Sequence, residues 1–314
     1  MIVALAGGVG GARLAVGLAT VLPPDALTIV VNTGDDFEHL GMAISPDLDT
    51  VMYTLAGLNN PVLGWGRTDE TWSFMETLAQ LGGETWFRLG DRDLAVHVMR
   101  TAALARGERL ADITRALTQR LGVRHLVVPM SDDPVRTVVL TAQGELSFQD
   151  YFVRRRCEPV VTGFRYDGAG DAHVPPRLRE LFDSGNIEAV VICPSNPFVS
   201  IEPLLAVKEM RTWLKARAFP VVAVSPIVGG HAIKGPAAKM MRELGHESSV
   251  AAVARHYGNL VDGWVIDQQD ASVATQLDQR VSVTDTLMTD RTKSVALARV
   301  VLRFARNRAE RSDG

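Results

Sequence analysis

Short runs of β-branched and other apolar residues recur along the chain, and most are separated by stretches long enough for a helix. The runs lie at 2–5, 27–32, 125–130, 135–141, 188–194, 219–226 and 263–267. Amphipathic stretches of helical length lie between several of them. Strands that alternate with helices build a mainly parallel sheet covered on both faces. The pattern predicts a Rossmann-like, doubly wound α/β fold in a single domain, 1–314.

Three parts of the chain depart from this alternation. Residues 50–121 contain several amphipathic helical patterns with no convincing strand between them, which predicts a helical insertion beside the ligand edge of the sheet. Residues 135–153 indicate a β-hairpin around the turn at 142–144, and the Gly/Pro-rich segment 163–176 indicates a loop. The polar end of the chain, 305–314, is expected to be a flexible tail.

Composition and charge narrow the class of protein. The 314 residues carry a formal net charge of -3, which gives no general attraction for nucleic acid or for an anionic membrane. No apolar run approaches the roughly 18 residues of a membrane span, and no signal-peptide pattern opens the chain. Cys157 and Cys193 lie far apart and match no metal-binding spacing. A cytoplasmic protein with small-molecule partners is the expectation.

A cluster of glycines follows the first predicted strand directly. The segment consists of Gly7, Gly8, Val9, Gly10 and Gly11. In an open α/β sheet, ligands bind beyond the carboxyl ends of the strands, and a Gly-rich turn into a helix offers free N–H groups to a phosphate. Arg13 stands where a dinucleotide fingerprint needs a small residue, and no Walker sequence follows. A tight turn with close helix-to-strand packing is the alternative interpretation.

Carboxylates follow the second predicted strand. They are Asp35, Asp36, Asp47 and Asp49. Because they reach the same sheet edge as the glycine loop, a phosphate bound there would be repelled unless a cation intervened. Oxygen ligands suit Mg²⁺ shared with a nucleotide phosphate. The alternative is helix capping, since Ser45 and Pro46 before Asp47 make a favourable helix start.

Other polar segments suggest where the rest of a ligand could lie. Trp86 and Arg88 stand in a dense polar segment that suits a planar heterocycle, with a solvated helix start as the alternative. Two loops after later strands offer small polar side chains and free amides for a base, ribose or phosphate. These residues are Ser195, Asn196, Gly229, Gly230 and Lys234. An Asx-type turn and a solvated lysine are the alternatives.

Together, these motifs resemble one known family. The segments ALAGGVGGARL, VNTGDDFEH, ISPDLDTVMYTLAG, WFRLGDRDLA, SNPFVSI and SPIVGGHAIKGPAAKMM occur in this order. They are similar to the 2-phospho-L-lactate transferase family of coenzyme F-420 biosynthesis. Known members join a three-carbon phospho-acid, presented as a guanylyl diphosphate, to the ribityl hydroxyl of the deazaflavin Fo, and GMP leaves. The resemblance implies a Rossmann-like core, dependence on Mg²⁺ and a homodimer.

The resemblance also implies roles for single residues. The glycine loop would lie along the nucleotide phosphates, and the loops at 195–196 and 229–235 would hold the guanosine. Asp49 and Arg88 match positions that contact Fo, with Trp86 beside them. For catalysis, Asp49 and Asp35 are the candidates.

The metal ligands and the rival functions remain open at this point. Asp35 and Asp49 are the favoured ligands, with Asp36 and Asp47 as alternatives. The acid is 2-phospholactate, phosphoenolpyruvate or 3-phosphoglycerate. A nicotinamide oxidoreductase would need an acidic residue where Asn32 stands. A non-catalytic regulator of the gluconeogenesis-factor type, which binds nucleotide sugars, is the stronger rival.

Overall fold

The computed structural model describes residues 1–62, 64–233 and 235–307. In chain order, the strands of these residues are β1 (Ile2–Ala6), β2 (Leu27–Val31), β3 (Phe37–His39), β4 (Met42–Ile44), β5 (Leu126–Pro129), β6 (Arg136–Thr141), β7 (Gly144–Ser147), β8 (Val161–Asp167), β9 (Ala189–Ile192), β10 (Val221–Val224), β11 (Ile227–Val228), β12 (His231–Ala232), β13 (Gly263–Asp267) and β14 (Arg280–Thr284). The α-helices are α1 (Gly8–Val21), α2 (Pro46–Ala56), α3 (Ser73–Gln80), α4 (Asp91–Ala105), α5 (Leu110–Arg120), α6 (Pro176–Asp183), α7 (Glu202–Ala206), α8 (Lys208–Ala216), α9 (Ala237–Glu243), α10 (Val250–Tyr257) and α11 (Arg291–Arg306).

The main sheet has seven parallel strands in the order β14-β13-β10-β9-β1-β2-β5. From β1 the chain winds outward through β2 to β5, and it then returns and winds outward the other way from β9 to β14. This doubly wound arrangement confirms the fold class expected from the sequence. The winding reverses between β1 and β9, and such a switch point leaves a crevice at the carboxyl ends of the strands.

Side chains that alternate along the sheet build two hydrophobic layers. In β1, Val3 and Leu5 belong to the layer that includes helices α6 to α10. Ile2, Ala4 and Ala6 belong to the opposite layer, which includes α1 and α11. Because both faces are covered, inner strands such as β1 and β10 are apolar and buried along their whole length, whereas the edge strand β14 keeps polar residues.

Helices α2 to α5 occupy 46–120, where the sequence predicts a helical insertion at 50–121. Met52 of α2, Val96 of α4 and Ile113 of α5 are buried together in a small hydrophobic cluster. The block is connected to the main sheet through β2 and the short antiparallel pair β3–β4. It therefore stands beside the carboxyl end of β2.

A second, antiparallel sheet has the order β7-β6-β8. The sequence predicts a hairpin over 135–153 and a loop over 163–176. The structure corrects both bounds: β7 ends at Ser147, a π-helical turn covers 150–154, and the third strand spans 161–167. Glycine and charged residues obscured β8, whose pairing with β6 is a contact between distant parts of the chain.

The chain end differs from the expected tail at 305–314. Residues 305 and 306 complete α11, and Ala305 is buried in the hydrophobic layer beside α1. Residues 308–314 lie outside the described part of the chain. Within the described residues, no helix is both long and apolar enough to cross a membrane.

Candidate functional site

A cavity of about 720 Å³ lies at the carboxyl edge of the main sheet. The loops after β1 and β9 form part of its wall, so it lies at the switch point, where ligands bind in this class of fold. The predicted residues that line it are Gly7, Gly8, Val9, Gly10, Asp35, Asp47, Asp49, Trp86, Arg88, Ser195 and Asn196. The fold thus brings residues predicted for the nucleotide, the metal and Fo to the same cavity.

Other predicted residues lie elsewhere. Gly11 packs inward, where an added Cβ would lie 2.7 Å from Oγ of Ser195. Gly229 and Gly230 form the tight turn between β11 and β12, both with positive φ. The Gly229 N–H donates to a carboxylate oxygen of Asp270 at 2.9 Å, so this amide is not free as the sequence suggested. Lys234 lies outside the described residues.

Close packing explains much of the glycine loop. A Cβ on Gly10 would lie 2.2 Å from the carbonyl oxygen of Pro194, and one on Gly7 would lie 2.7 Å from Oδ2 of Asp47. The N–H of Gly8, the first residue of α1, donates to Oδ1 of Asp47 at 2.7 Å. The N–H groups of Val9 and Gly10 come next in this first turn, and they have no partner that the helix itself can provide.

We expect Gly10→Ala to destabilise the protein by about 1–3 kcal/mol or more, because the methyl group would press on a backbone atom that cannot rotate away. Chemical denaturation measures the loss. The matched control is Gly170→Ala, where a Cβ meets nothing within 4 Å. If both variants are equally stable, close packing is not the reason for Gly10.

Asp35 and Asp47 form a buried acid pair. The side-chain amide of Asn32 donates to Oδ1 of Asp35 at 3.3 Å and to Oδ2 of Asp47 at 3.0 Å. The other side-chain contact of Asp35 is the amide of Gln149 at 3.5 Å. Burial, together with the charges of Asp47 and Asp36, raises the pKa of Asp35 well above its usual value. Two buried carboxylates held by neutral amides fit a divalent cation, whose charge would offset the cost of burying them.

Asp36 has a different environment. It does not line the cavity, and its Oδ2 accepts a hydrogen bond from the Ser45 hydroxyl at 2.7 Å. Burial raises the pKa of Asp36 to about 7. The predicted helix start is confirmed, with Ser45 as the N-cap residue and Pro46 as the first helical residue, but the Ser45 side chain makes no capping hydrogen bond and Asp47 binds the first amide of α1.

Asp49 belongs to a second buried cluster, a charge network between α2 and α4. Both of its carboxylate oxygens accept hydrogen bonds from the guanidinium of Arg100, one of them at 3.1 Å. Burial alone would lower the pKa of Arg100, but Asp49, together with Asp36 and Tyr53, raises it above its usual value. Asp49 is thus one half of an ion pair.

The network continues along α4. Nδ1 of His97 lies 3.6 Å from Oδ2 of Asp49, and its Nε2 lies 3.3 Å from Oδ2 of Asp93. The Tyr53 hydroxyl donates to Asp93 at 2.5 Å. One atom from each of Asp49, Asp93 and His97 lies within 4.8 Å of the others. The spacing suits a metal, but Arg100 already neutralises Asp49, so the set is a weaker cation site than the acid pair.

Aromatic side chains form a further wall. Phe37, His39, Trp86 and Phe87 pack with ring centroids 4.8–6.1 Å apart. Trp86 and Phe87 face the cavity. The Arg88 guanidinium stacks 4.0 Å from the centre of the Trp72 ring, a contact that gives this exposed side chain a defined orientation. Such a wall suits a flat ring with polar edges.

Residues 2–303 match the family model described as 2-phospho-L-lactate transferase CofD. The chain belongs to this family. A phosphoenolpyruvate transferase from Streptomyces griseus is 44% identical, with 97% of this chain and 98% of the relative covered. A 2-phospho-L-lactate transferase from Methanosarcina mazei is 40% identical, with 94% and 97% covered. The expected family and its enzyme class, a transferase, are confirmed.

A solved structure supports the fold. A member of the UPF0052 family from Bacillus halodurans superposes with a TM-score of 0.63, covering 96% of this chain and 98% of that one. The two are 15% identical in sequence, so the likeness concerns the fold alone. The fold of this CofD-family chain thus also occurs in a protein with little sequence identity to it.

Three residues of the charge network of this CofD-family member were missed by sequence reasoning, Tyr53, His97 and Arg100, whereas Asp93 belongs to the polar segment that the sequence indicated around Arg88. A signal was present. Asp49 and Tyr53 are spaced i,i+4 on α2, and Asp93, His97 and Arg100 are spaced i,i+4 and i,i+3 on α4. Such spacing puts polar residues on one helix face, and two such faces opposite each other indicate a shared polar cluster.

The raised pKa of Asp36 makes stability depend on pH when no divalent cation is present. Its pKa rises from 3.8 unfolded to about 7 folded, so the folded state binds the proton more tightly. This contribution to stability is complete below about pH 4 and is lost as the pH rises through 7. In EDTA, Asp36→Asn should therefore gain stability relative to wild type between pH 4 and pH 8. A difference that is the same at both pH values would contradict this assignment.

Proposed function

We propose that the protein transfers a phosphorylated three-carbon acid from its guanylyl diphosphate donor to the ribityl hydroxyl of the deazaflavin Fo, with release of GMP, in coenzyme F-420 biosynthesis. The observation that supports this most is that the glycine loop, the acid pair and the aromatic wall line one cavity. Phosphates, a cation and a flat ring each find suitable chemistry there. The names of the relatives support the same class of transfer.

The acceptor hydroxyl oxygen forms a bond to the phosphorus that bears the acid, and the bond from that phosphorus to the bridging oxygen breaks. GMP leaves with the bridging oxygen and its electron pair, and the proton of the acceptor hydroxyl is released to solvent. Positioning and charge neutralisation dominate such reactions. When bound, Mg²⁺ would neutralise charge on the diphosphate. The first-turn amides of Val9 and Gly10 are placed to donate to phosphate oxygens.

We propose Asp35 and Asp47 as the residues that hold Mg²⁺. This differs from the pair favoured by sequence, Asp35 and Asp49, because Asp49 is already paired with the charged guanidinium of Arg100, whereas the groups that donate hydrogen bonds to Asp35 and Asp47 are uncharged amides. Asp49 faces the cavity. We propose that it orients the Fo hydroxyl by accepting a hydrogen bond from it.

Ser195 and Asn196 line the same cavity, and we propose that they border the nucleotide. The Ser195 hydroxyl donates to the Gly7 carbonyl oxygen, and Oδ1 of Asn196 accepts from the Phe198 N–H in the Asx-type turn that the sequence suggested as the alternative.

Phosphoenolpyruvate is the acid that we propose, because three relatives that are 42–44% identical over 97% of this chain carry the name phosphoenolpyruvate transferase. The test is to incubate the enzyme with Fo, Mg²⁺ and each of the three guanylylated acids, and to weigh the products by mass spectrometry. A product from the 2-phospholactate donor alone would change the acid but not the reaction. Binding of nucleotide without any product would favour the regulator instead.

We expect Arg88→Ala to weaken Fo binding about ten-fold, because it removes a cation that lines the cavity, is held against Trp72 and can contact the face of the deazaflavin ring. Titration of deazaflavin fluorescence measures the affinity. Arg92→Ala is the control, since Arg92 is exposed in the same segment and does not line the cavity. Equal affinities in the two variants would remove Arg88 from the Fo site.

Two further properties belong to the proposal. We propose a homodimer, which light scattering after size exclusion tests directly. We also propose that the enzyme acts in the cytoplasm, where nucleotide-activated substrates are made.

A further inference from the structure

Arg13 is a cavity residue that sequence reasoning noted only as a departure from the dinucleotide fingerprint. It lies in the second turn of α1, is half-buried and lines the cavity beside the glycine loop. Its Nη1 donates to the carbonyl oxygen of Met288 at 2.7 Å. That bond fixes one arm of the guanidinium fork.

The direction of α1 aims this side chain at the glycine loop. Long helical side chains slope towards the N-terminus of their helix and cover the residues three and four positions earlier. For Arg13 these residues are Val9 and Gly10, whose N–H groups have no partner within the helix. The guanidinium and these two amides therefore face the same part of the cavity.

The loop that carries Met288, the partner of Arg13, is attached to the main sheet. Met288 lies in the loop after β14, and both the N–H and the hydroxyl of Thr286 in that loop donate to Oδ2 of Asp267, at 2.9 and 3.0 Å. Asp267 ends β13 and is buried. The Met288 carbonyl is thus attached to the main sheet, and it holds Arg13 in a fixed place.

The charge of Arg13 is available to a ligand. The acids that line the cavity have other partners: Asp35 binds Asn32 and Gln149, Asp47 binds Gly8, Asp49 binds Arg100 and Asp93 binds Tyr53. In the described part of the chain, Arg13 makes no ion pair, and its hydrogen bond goes to an uncharged carbonyl. A guanidinium with free N–H groups binds phosphate through two parallel hydrogen bonds.

We propose that Arg13 binds a phosphate of the guanylyl group and so positions the GMP half of the donor. It acts as a substrate-binding residue, distinct from the acid pair. Its contact with the phosphate makes the protein bind guanine nucleotides more tightly than guanosine. The inference rests on the proposed function, because it takes the nucleotide as the occupant of this side of the cavity.

The experiment compares GDP with guanosine, which lacks the phosphates, at saturating Mg²⁺. Calorimetry gives the Kd of GDP, and ligand-detected NMR gives that of guanosine. We expect Arg13→Gln to weaken GDP binding about 10- to 100-fold and to leave guanosine binding within about two-fold of wild type. Arg13→Lys keeps the charge but loses the forked guanidinium, so its affinity for GDP should lie between those of wild type and Arg13→Gln.

The matched control is Arg291→Gln, because Arg291 is an exposed arginine that contacts Thr20 at the far end of α1. It should bind GDP as wild type does. An equal loss of GDP and guanosine binding in Arg13→Gln would mean a structural role and would overturn the proposal, as would unchanged GDP binding. If wild type itself binds no GDP, the nucleotide donor of the proposed function is wrong, and that failure is visible before any variant is made.

Discussion

Asp35→Asn should lower kcat about a thousand-fold at saturating substrates. The charge of a bound metal contributes several kcal/mol to phosphoryl transfer, and each 1.4 kcal/mol corresponds to a factor of ten. Asp35 supplies half of the acid pair that we propose for Mg²⁺, and a neutral amide oxygen is a much weaker ligand. Product formation from Fo and the guanylylated donor, measured by mass spectrometry over a range of Mg²⁺, gives the rate.

The same substitution should not lower the stability of the metal-free protein. Burial and the neighbouring Asp47 and Asp36 raise the pKa of Asp35, so its carboxylate is costly to bury at neutral pH. We expect the Asp35→Asn midpoint of unfolding in EDTA to equal or exceed that of wild type. Lost activity with undiminished stability separates a functional role from a structural one.

Asp36→Asn is the matched control for this prediction. Asp36 is the next residue, is equally buried and also has a raised pKa, but it binds Ser45 and does not line the cavity. Its variant should keep most of the wild-type rate. If Asp36→Asn loses activity and Asp35→Asn does not, the acid pair is wrongly assigned. If wild type keeps its full rate in EDTA, no metal takes part.

Arg100→Met should reduce the free energy of unfolding by about 3–5 kcal/mol. Removal of one partner from a buried ion pair leaves the other charge uncompensated in a medium that solvates it poorly. Arg100 is only 2% exposed, and its pair with Asp49 connects α4 to α2. Urea denaturation at neutral pH measures the loss.

Two comparisons make the Arg100 result specific. Arg106 follows the same helix and makes an exposed pair with Glu108, so Arg106→Met should change stability little. The double variant Asp49→Asn, Arg100→Met removes both charges and should lose less than the two single variants together. Additive losses would show that the two side chains do not stabilise the protein as a pair.

The sequence by itself determined the fold class and the edge of the sheet where the site lies. Six of the seven β-branched runs form strands of the parallel sheet, where each strand needs both faces covered, whereas the run at 135–141 forms β6 of the antiparallel sheet and β14 was not among the runs. A parallel sheet then brings the end of β1, with its glycines, next to the end of β2, with Asp35. The motif order was enough to indicate the family, because five of the six segments follow strands, where substrates bind in this class of fold, and the sixth lies after α3 and runs into α4.

Only the tertiary structure decided which partner each charged side chain has. Periodicity reports which face of an element is buried, but the partner on that face comes from a distant part of the chain. Asp49 meets Arg100, which is 51 residues away, and Arg13 meets Met288, which is 275 residues away. Asp47 stands in the first turn of α2, yet it binds an amide of α1. These contacts depend on how helices and strands pack against one another, and that packing made Asp47 part of the acid pair and Asp49 part of an ion pair.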